Sequence, residues 1–154
     1  AGFVFGGSGG NGVLLGRDEK TGRWSHPAFF TMGSATIGFA AGIEKSEVIL
    51  MIMTNKGMDS MLSTSFKLGG DVSVAVGPVG AGAKAQTADV IAFSRAKGIY
   101  GGINLEGAVI STRDALNSAY YGKPVRTVDI VVKHSVQNKK ADRLISEVKK
   151  VARK

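Results

Sequence analysis

The sequence predicts an α+β domain that is mainly antiparallel β-sheet, in a sandwich or barrel-like arrangement, with helices towards the C-terminus. About seven short apolar runs follow one another at close spacing before residue 111, which is typical of sequential antiparallel strands. Glycine supplies 22 of the 154 residues, as many tight turns between strands would require. Beyond residue 111 the apolar residues recur at helical spacing. The length corresponds to one domain covering residues 1–154.

The strands are predicted from apolar runs with a period of two. Gly2–Phe5 and Val13–Arg17 flank a cluster of Gly, Ser and Asn and predict a hairpin. A short helix is predicted over Asn55–Ser63, capped by Thr54 or Asn55. The remaining predicted strands are Thr36–Ile43, Glu47–Met53, Asp71–Gly77, Asp89–Arg95 and Ile99–Ile110.

The helices are predicted from capping residues and from apolar residues on one face. Thr112–Tyr121 is a predicted helix, capped by Ser111 or Thr112 and stopped at Gly122. Val128–Val132 is a short apolar element. The clearest helix is Asn138–Ala152, whose apolar side chains fall within an arc of about 120° on a helical wheel. Those apolar residues are Ala141, Leu144, Ile145, Val148, Val151 and Ala152.

The segment Gly7-Ser-Gly-Gly-Asn-Gly12 fits the spacing G-x-G-x-x-G of a dinucleotide-binding turn. Such a turn must lead into a helix whose N-terminus meets the pyrophosphate. Here Val13–Arg17 and another turn at Asp18–Gly22 follow, which leaves no room for that helix. We therefore expect a glycine-rich hairpin turn rather than a phosphate loop.

The segment Trp24–Ile43 has the length of a membrane span and contains no formally charged residue. It is nevertheless rich in Gly, Ser and Thr, and Pro27 interrupts it. Its second half alternates between apolar and small residues from residue 35 to residue 43, which is the period of a strand. We therefore predict a strand there and no membrane helix.

The sequence supplies few groups for catalysis or metal binding. Cysteine is absent, which excludes disulfides, thiol catalysis and thiolate metal sites. His26 and His134 are far apart in the sequence, and scattered carboxylates around them make no metal signature. No cofactor or metal is predicted. An enzyme would require a polar pocket that holds His26 or His134 beside a carboxylate.

The positive charge is concentrated at the C-terminus. The net charge is +8, and residues 133–154 hold eight Lys or Arg against two Asp or Glu. This asymmetry predicts an anionic partner, and a phospholipid surface fits better than nucleic acid because no aromatic residues are interleaved with the charges. The alternative is a solvated helix whose charge only aids solubility. The predicted headgroup-binding residues are Lys139, Lys140, Arg143, Lys149, Lys150, Arg153, Lys154, Arg113, Lys123 and Arg126.

A series of short segments, taken in their order, resembles the SYLF lipid-binding domain family over nearly the whole chain. The C-terminal pattern of Asp129-Ile-Val and Asn138, Ala141 and Leu144 resembles its bacterial members. The segments that carry the resemblance are Gly12-Val-Leu-Leu, Trp24-Ser-His-Pro-Ala-Phe-Phe30, Gly33–Gly42, Val48–Thr54, Ser73-Val-Ala-Val-Gly-Pro78, Asp89-Val-Ile-Ala-Phe-Ser94, Gly98–Gly107 and Asn117–Gly122.

The resemblance implies a non-enzymatic module that binds membrane lipids, which are phosphoinositides for eukaryotic members. Some fungal and animal members also bind actin, whereas bacterial members are typically exported as envelope lipoproteins. It therefore implies an extracytoplasmic, lipid-anchored protein in the periplasm or at the outer membrane, for which actin binding is not expected. Members usually have a helical segment before the first strand, and Ala1 begins after it. A structural or protein-interaction module without lipid affinity is the alternative.

Overall fold

A computed structural model of the protein describes residues 3–8, 10–33, 47–76, 88–96, 99–102 and 105–152. Within these residues nine strands form one sheet, and helices lie mostly in the C-terminal half. The strands are β1 (Phe3–Ser8), β2 (Asn11–Gly16), β3 (Ala28–Gly33), β4 (Glu47–Ile52), β5 (Ser65–Lys67), β6 (Val74–Val76), β7 (Val90–Ala96), β8 (Ile99–Gly102) and β9 (Val109–Thr112). The helices are α1 (Asn55–Met61), α2 (Asp114–Tyr121), α3 (Thr127–Val131) and α4 (Asp142–Ala152), and a single 3-10 turn (Lys139–Ala141) precedes α4.

The sheet is continuous and curled, in the order β5-β9-β3-β2-β1-β4-β7-β6. Strands β6 and β8 both pair with the outer edge of β7. Strand β6 pairs with the N-terminal half of β7, and β8 pairs with its C-terminal half. Every pairing between named strands is antiparallel except that of β6 with β7. The predicted α+β class with a mainly antiparallel sheet is confirmed, and the sheet is a half-barrel rather than a two-sheet sandwich.

The first two strands form the predicted hairpin, and a close contact across it explains part of its glycine content. Strand β1 pairs with β2 from Phe3↔Gly16 to Ser8↔Asn11. A Cβ atom on Gly12 would lie 2.2 Å from Cζ of Phe5, so only glycine fits beneath this ring. A strand follows the glycine segment instead of a helix, so it cannot form a dinucleotide-binding turn.

The hydrophobic core lies against one face of the sheet, and every second side chain of the central strands points into it. The side chains of Phe5, Leu14, Phe30 and Leu50 are completely buried there. The rings of Phe5 and Phe30 meet edge to face, with centroids 6.1 Å apart. Each of these side chains stabilises the fold by about 1.5–3 kcal/mol through burial. The helices add Met61, Ile130 and Val131 to the same cluster.

Two strands were missed, and two predicted strands differ in kind or length from what the structure shows. Strand β3 lies in the first half of the segment considered as a membrane span, and β5 has only three residues. The single strand predicted over Ile99–Ile110 is wrong, because the chain turns at Gly107, which has a φ of 90°, between β8 and β9. The strand predicted over Asp71–Gly77 shrinks to β6. The strand predicted over Thr36–Ile43 lies outside the described residues.

The helices agree with the sequence except at one cap. Thr54 caps α1 as predicted, because its Oγ1 accepts a hydrogen bond of 3.1 Å from the Gly57 N–H. The predicted cap of α2 is wrong: Ser111 and Thr112 belong to β9, and Arg113 precedes the helix without a capping side chain. Gly122 ends α2 in the left-handed conformation, with a φ of 72°, as predicted. Among the described helices, none combines the length and the apolar character required to cross a membrane.

Candidate functional site

Helix α4 contacts the domain with only part of its apolar face. Ala141, just before the helix, is buried, whereas Ile145 and Val148 are half-buried. Leu144 remains 37% exposed. The basic side chains that the sequence predicted to contact headgroups are exposed at Lys139, Lys140, Arg143, Lys149 and Lys150, whereas Arg153 and Lys154 lie outside the described residues.

Residues 138–150, which carry these exposed cations, are called the basic segment. Two hydrogen bonds from Asn138 hold the start of the basic segment against the domain. Its backbone N–H donates to Nδ1 of His26 at 3.1 Å. Its side-chain Nδ2 donates to the carbonyl of Tyr120 at 2.9 Å. Its Oδ1 accepts from the Lys140 N–H at 2.9 Å and caps the 3-10 turn. The helical segment predicted from Asn138 does start there, but its first turn is a 3-10 turn and α4 itself begins at Asp142. Asn138 also holds this segment against the β2–β3 connection.

The other predicted cations do not all join this surface. Arg113 donates from Nη1 to Oδ1 of Asn11 at 3.0 Å, at the start of β2. The segment beside α4 lies at the other end of β2, about 16–20 Å along the strand, so Arg113 is not brought to the helix. Arg126 is exposed just before α3, where its N–H donates to the Asp129 carboxylate at 3.0 Å. Lys123 is exposed after α2.

A cleft of about 290 Å³ lies between α4 and the β2–β3 connection. Three parts of the chain supply the polar groups of its lining. The β2–β3 connection supplies a cation and a histidine, and the segment before the 3-10 turn supplies the second histidine. Helix α4 supplies a carboxylate and an ammonium group. These groups are Arg23, His26, His134, Asp142 and Lys149. The fold therefore brings together two histidines that are far apart in the sequence.

The wall of the cleft that carries His26 is fixed by hydrogen bonds. Ser25 is buried, accepts from the Gly16 N–H at 2.9 Å and donates to the His26 carbonyl at 2.9 Å. Because Nδ1 of His26 accepts the Asn138 N–H, the proton of the neutral ring resides on Nε2, which remains a donor. Trp24 lines the same wall and is only 7% exposed.

The cleft shows no catalytic relay among the described residues. It does place His26 and His134 in one pocket with Asp142, the combination that an enzyme would require. However, the ring of His26 bonds to a backbone N–H, and no hydrogen bond joins either ring to a carboxylate or a hydroxyl within the described ranges. No group of three or more His, Asp or Glu in these ranges could hold a metal ion. The arrangement is suited to holding an anion.

A larger and more open groove of about 530 Å³ lies elsewhere, across the sheet above Gly6. Its lining includes the apolar side chains of Val13, Phe29 and Ile49, with Arg113 as a cation and Glu47 as a carboxylate. Size alone would favour this groove, but the described residues that line it include a single cation, Arg113, together with the carboxylate of Glu47, which suits an anionic ligand poorly. The convergent basic groups are in the cleft beside α4.

Comparison with known proteins gives consistent matches. The family model described as "Ysc84: Las17-binding protein actin regulator" matches residues 33–151. LAS seventeen-binding protein 3 of Saccharomyces cerevisiae is 36% identical over 130 residues, which are 79% of this chain and 28% of that protein. SH3 domain-containing YSC84-like protein 1 of Bos taurus is 30% identical over 137 residues, which are 85% of this chain and 40% of that protein. The chain thus spans well under half the length of these relatives.

Proposed function

Since the chain belongs to the Ysc84 family, whose domain is also called SYLF, we propose that it is a non-enzymatic module that binds anionic phospholipid surfaces. The family that the sequence resembled is thereby confirmed. The observation that supports lipid binding most is the exposure of Lys139, Lys140 and Arg143 on one segment beside the partly exposed Leu144. The basic face points to a negatively charged surface, and Leu144 adds apolar contact.

The available charge supports a weak, salt-sensitive interaction. Within the described residues, Lys139, Lys140 and Arg143 form no ion pair, whereas Lys150 lies 3.8 Å from Glu147. A basic side chain near an anionic bilayer contributes about 1 kcal/mol, so three contribute about 3 kcal/mol. That free energy corresponds to dissociation constants of a few millimolar. A second contact is therefore required for stable attachment.

We place this module at a membrane of the cell envelope, extracytoplasmic and lipid-anchored. The support is the resemblance of Asp129-Ile-Val and of the Asn138–Leu144 pattern to bacterial members. The expectation that actin binding is absent depended on the same bacterial type, whereas the relatives above come from yeast and cattle. Fractionation of the native host tests the placement: recovery with the envelope membranes supports it, and recovery with cytosolic proteins contradicts it.

The test of lipid binding is vesicle co-sedimentation of a charge-reversed variant. Lys139, Lys140 and Arg143 are changed together to glutamate, and the fraction bound to anionic vesicles is compared with that of the unchanged chain. We expect at least a tenfold loss of affinity, because three attractive contacts become repulsive.

The matched control changes net charge by the same amount elsewhere. Lys20, Lys56 and Lys67 are exposed residues outside the basic segment and are changed together to glutamate. If attraction is local, this control retains most of the binding. An equal loss of vesicle affinity in the two variants, or unchanged affinity in both, would show that the basic segment is not the lipid-binding site.

Protein binding is the second candidate, and the comparisons favour it directly. The family description and the name of the yeast relative both refer to binding of Las17, and the description adds actin regulation. In this alternative the basic helix aids solubility and the chain has no lipid affinity. Titration of the chain with purified Las17 and with actin filaments tests it, and saturable binding together with no vesicle binding would replace the lipid proposal.

A further inference from the structure

We propose that the cleft between α4 and the β2–β3 connection binds a phosphate monoester through Arg23, His134 and Lys149, and binds it more tightly when His134 is protonated. The cleft is separate from the exposed face of Lys139, Lys140 and Arg143. This inference depends on the proposed lipid function only for the source of the phosphate, which is either a lipid headgroup or a soluble ester.

The lining supplies the donors that a phosphate monoester requires. A monoester has close to two negative charges near neutral pH and three acceptor oxygens. Arg23 offers a guanidinium fork and Lys149 an ammonium group, and neither forms an ion pair within the described residues. The Nε2–H of His26 adds a neutral donor from a wall already fixed by Ser25. At about 290 Å³ the cleft suits a headgroup rather than a whole lipid.

The backbone of His134 indicates that its side chain is held in the cleft for a reason. Among the described residues it is the one non-glycine residue with a positive φ, at 51°. Left-handed backbone of this kind costs free energy and persists where the surroundings or a function require it. Its half-buried ring lines the cleft and has no hydrogen-bond partner within the described residues. A ring with both nitrogens available can donate to an anion.

The charge balance of the cleft explains why protonation matters. Arg23 and Lys149 against Asp142 and Asp18 leave no net charge while the histidines are neutral. A protonated His134 gives this group of residues one net positive charge and adds a donor. Asp18 faces His134 from the β2–β3 connection: the Lys20 N–H holds the pKa of Asp18 below its ordinary value, and His134 contributes in the same direction. Lys133 adjoins His134 but pairs with Asp129 at 3.7 Å.

Trp24 makes the test direct, because it is the single tryptophan of the chain and lines the cleft. Its fluorescence is titrated with sulfate at constant ionic strength, since sulfate keeps both charges between about pH 5.5 and 8 and any pH dependence of its binding then comes from the protein. We expect saturable binding that tightens about tenfold from the upper to the lower pH, the gain typical of one charge-assisted hydrogen bond. The variant Lys67→Ala, distant from the cleft, should give the same curve.

Two sets of variants make the proposal falsifiable. Arg23→Ala with Lys149→Ala should weaken sulfate binding at least tenfold at both pH values. Asparagine at position 134 tolerates the left-handed backbone and has no ionisable ring, so His134→Asn should lose most of the pH dependence of sulfate binding. His134→Gly should also lose the pH dependence with an unchanged or higher Tm, because glycine relieves the backbone. No fluorescence response to sulfate, or an unchanged pH dependence in both His134 variants, would overturn the proposal.

The source of the phosphate is separated by a second comparison. Vesicles that contain phosphatidic acid, a monoester, are compared with vesicles that contain phosphatidylglycerol, a diester, and with soluble glycerol 3-phosphate. A preference for phosphatidic acid that Arg23→Ala with Lys149→Ala removes identifies a lipid headgroup. Saturation by glycerol 3-phosphate without that preference identifies a soluble ester. If vesicles bind through the basic face and neither ester binds the cleft, the lipid proposal stands and this one fails.

Discussion

Replacing Gly12 by alanine should destabilise the fold strongly, although the change adds one methyl group. The new Cβ would lie 2.2 Å from Cζ of Phe5 and 2.8 Å from both Cε atoms. Carbon atoms pack at about 3.5–4.0 Å, so the ring would have to retreat by more than about 1 Å. Phe5 is completely buried and its ring packs edge to face on that of Phe30, so the ring cannot retreat without disturbing the core. Overpacking of this kind costs about 1–3 kcal/mol, and we expect the upper end.

The assay is urea denaturation followed by circular dichroism, together with thermal unfolding. A loss of about 3 kcal/mol should lower Tm by about 6–12 °C in a chain of this length. Gly6→Ala in the same hairpin is the control, since its Cβ would lie 3.9 Å from the Val48 carbonyl, an ordinary contact. Adding Phe5→Leu to Gly12→Ala should recover part of the loss, because it removes the ring edge. A Gly12→Ala protein within about 0.5 kcal/mol of the unchanged chain would refute the reasoning.

Two further predictions concern Asp89, which is buried, and Tyr121, which is partly buried. Burial of Asp89 works to raise its pKa, but hydrogen bonds from Thr54 and Ser73 outweigh it and hold the pKa below its ordinary value. The stability that this carboxylate contributes is present above about pH 4 and is lost as pH falls further. Asp89→Asn should lower the free energy of unfolding by about 2 kcal/mol. It should also make that free energy, measured by urea denaturation, less dependent on pH in this range. Tyr121 donates to the Pro27 carbonyl, and burial raises its pKa well above its ordinary value. Stability should therefore fall above about pH 10, and Tyr121→Phe should weaken this fall while costing about 1 kcal/mol in thermal unfolding.

Elements with local signals were predictable from the sequence. The Thr54 cap, the left-handed Gly122 and the apolar arc of α4 each act within a few residues, so the sequence shows them directly. Strand β5 was not predictable in this way, because three residues give no period, and it exists by pairing with β9. Strands β8 and β9 are separated by a turn at Gly107. This turn was not predicted, because the sequence around it continues as an apolar run that resembles one long strand.

The candidate site was predictable only in part. The charge asymmetry indicated the basic helix, since net charge along a chain needs no tertiary information. The cleft was not predictable, because Arg23 and His134 line one cavity only in the folded chain, where Asn138 binds His26 across a long sequence separation. Arg113 was grouped with the helix on charge alone, and the structure binds it to Asn11 at the far end of β2.

The most direct test of the central claim is the salt dependence of vesicle binding by the unchanged chain. Binding to neutral and to anionic phosphatidylcholine-based vesicles is measured at low salt, where the Debye length is about 30 Å, and at physiological salt, where it is about 8 Å. A lipid-binding module that acts through an exposed basic face should bind anionic vesicles only, and more weakly at the higher salt. Equal binding to both kinds of vesicle, or no binding at low salt, would contradict the account.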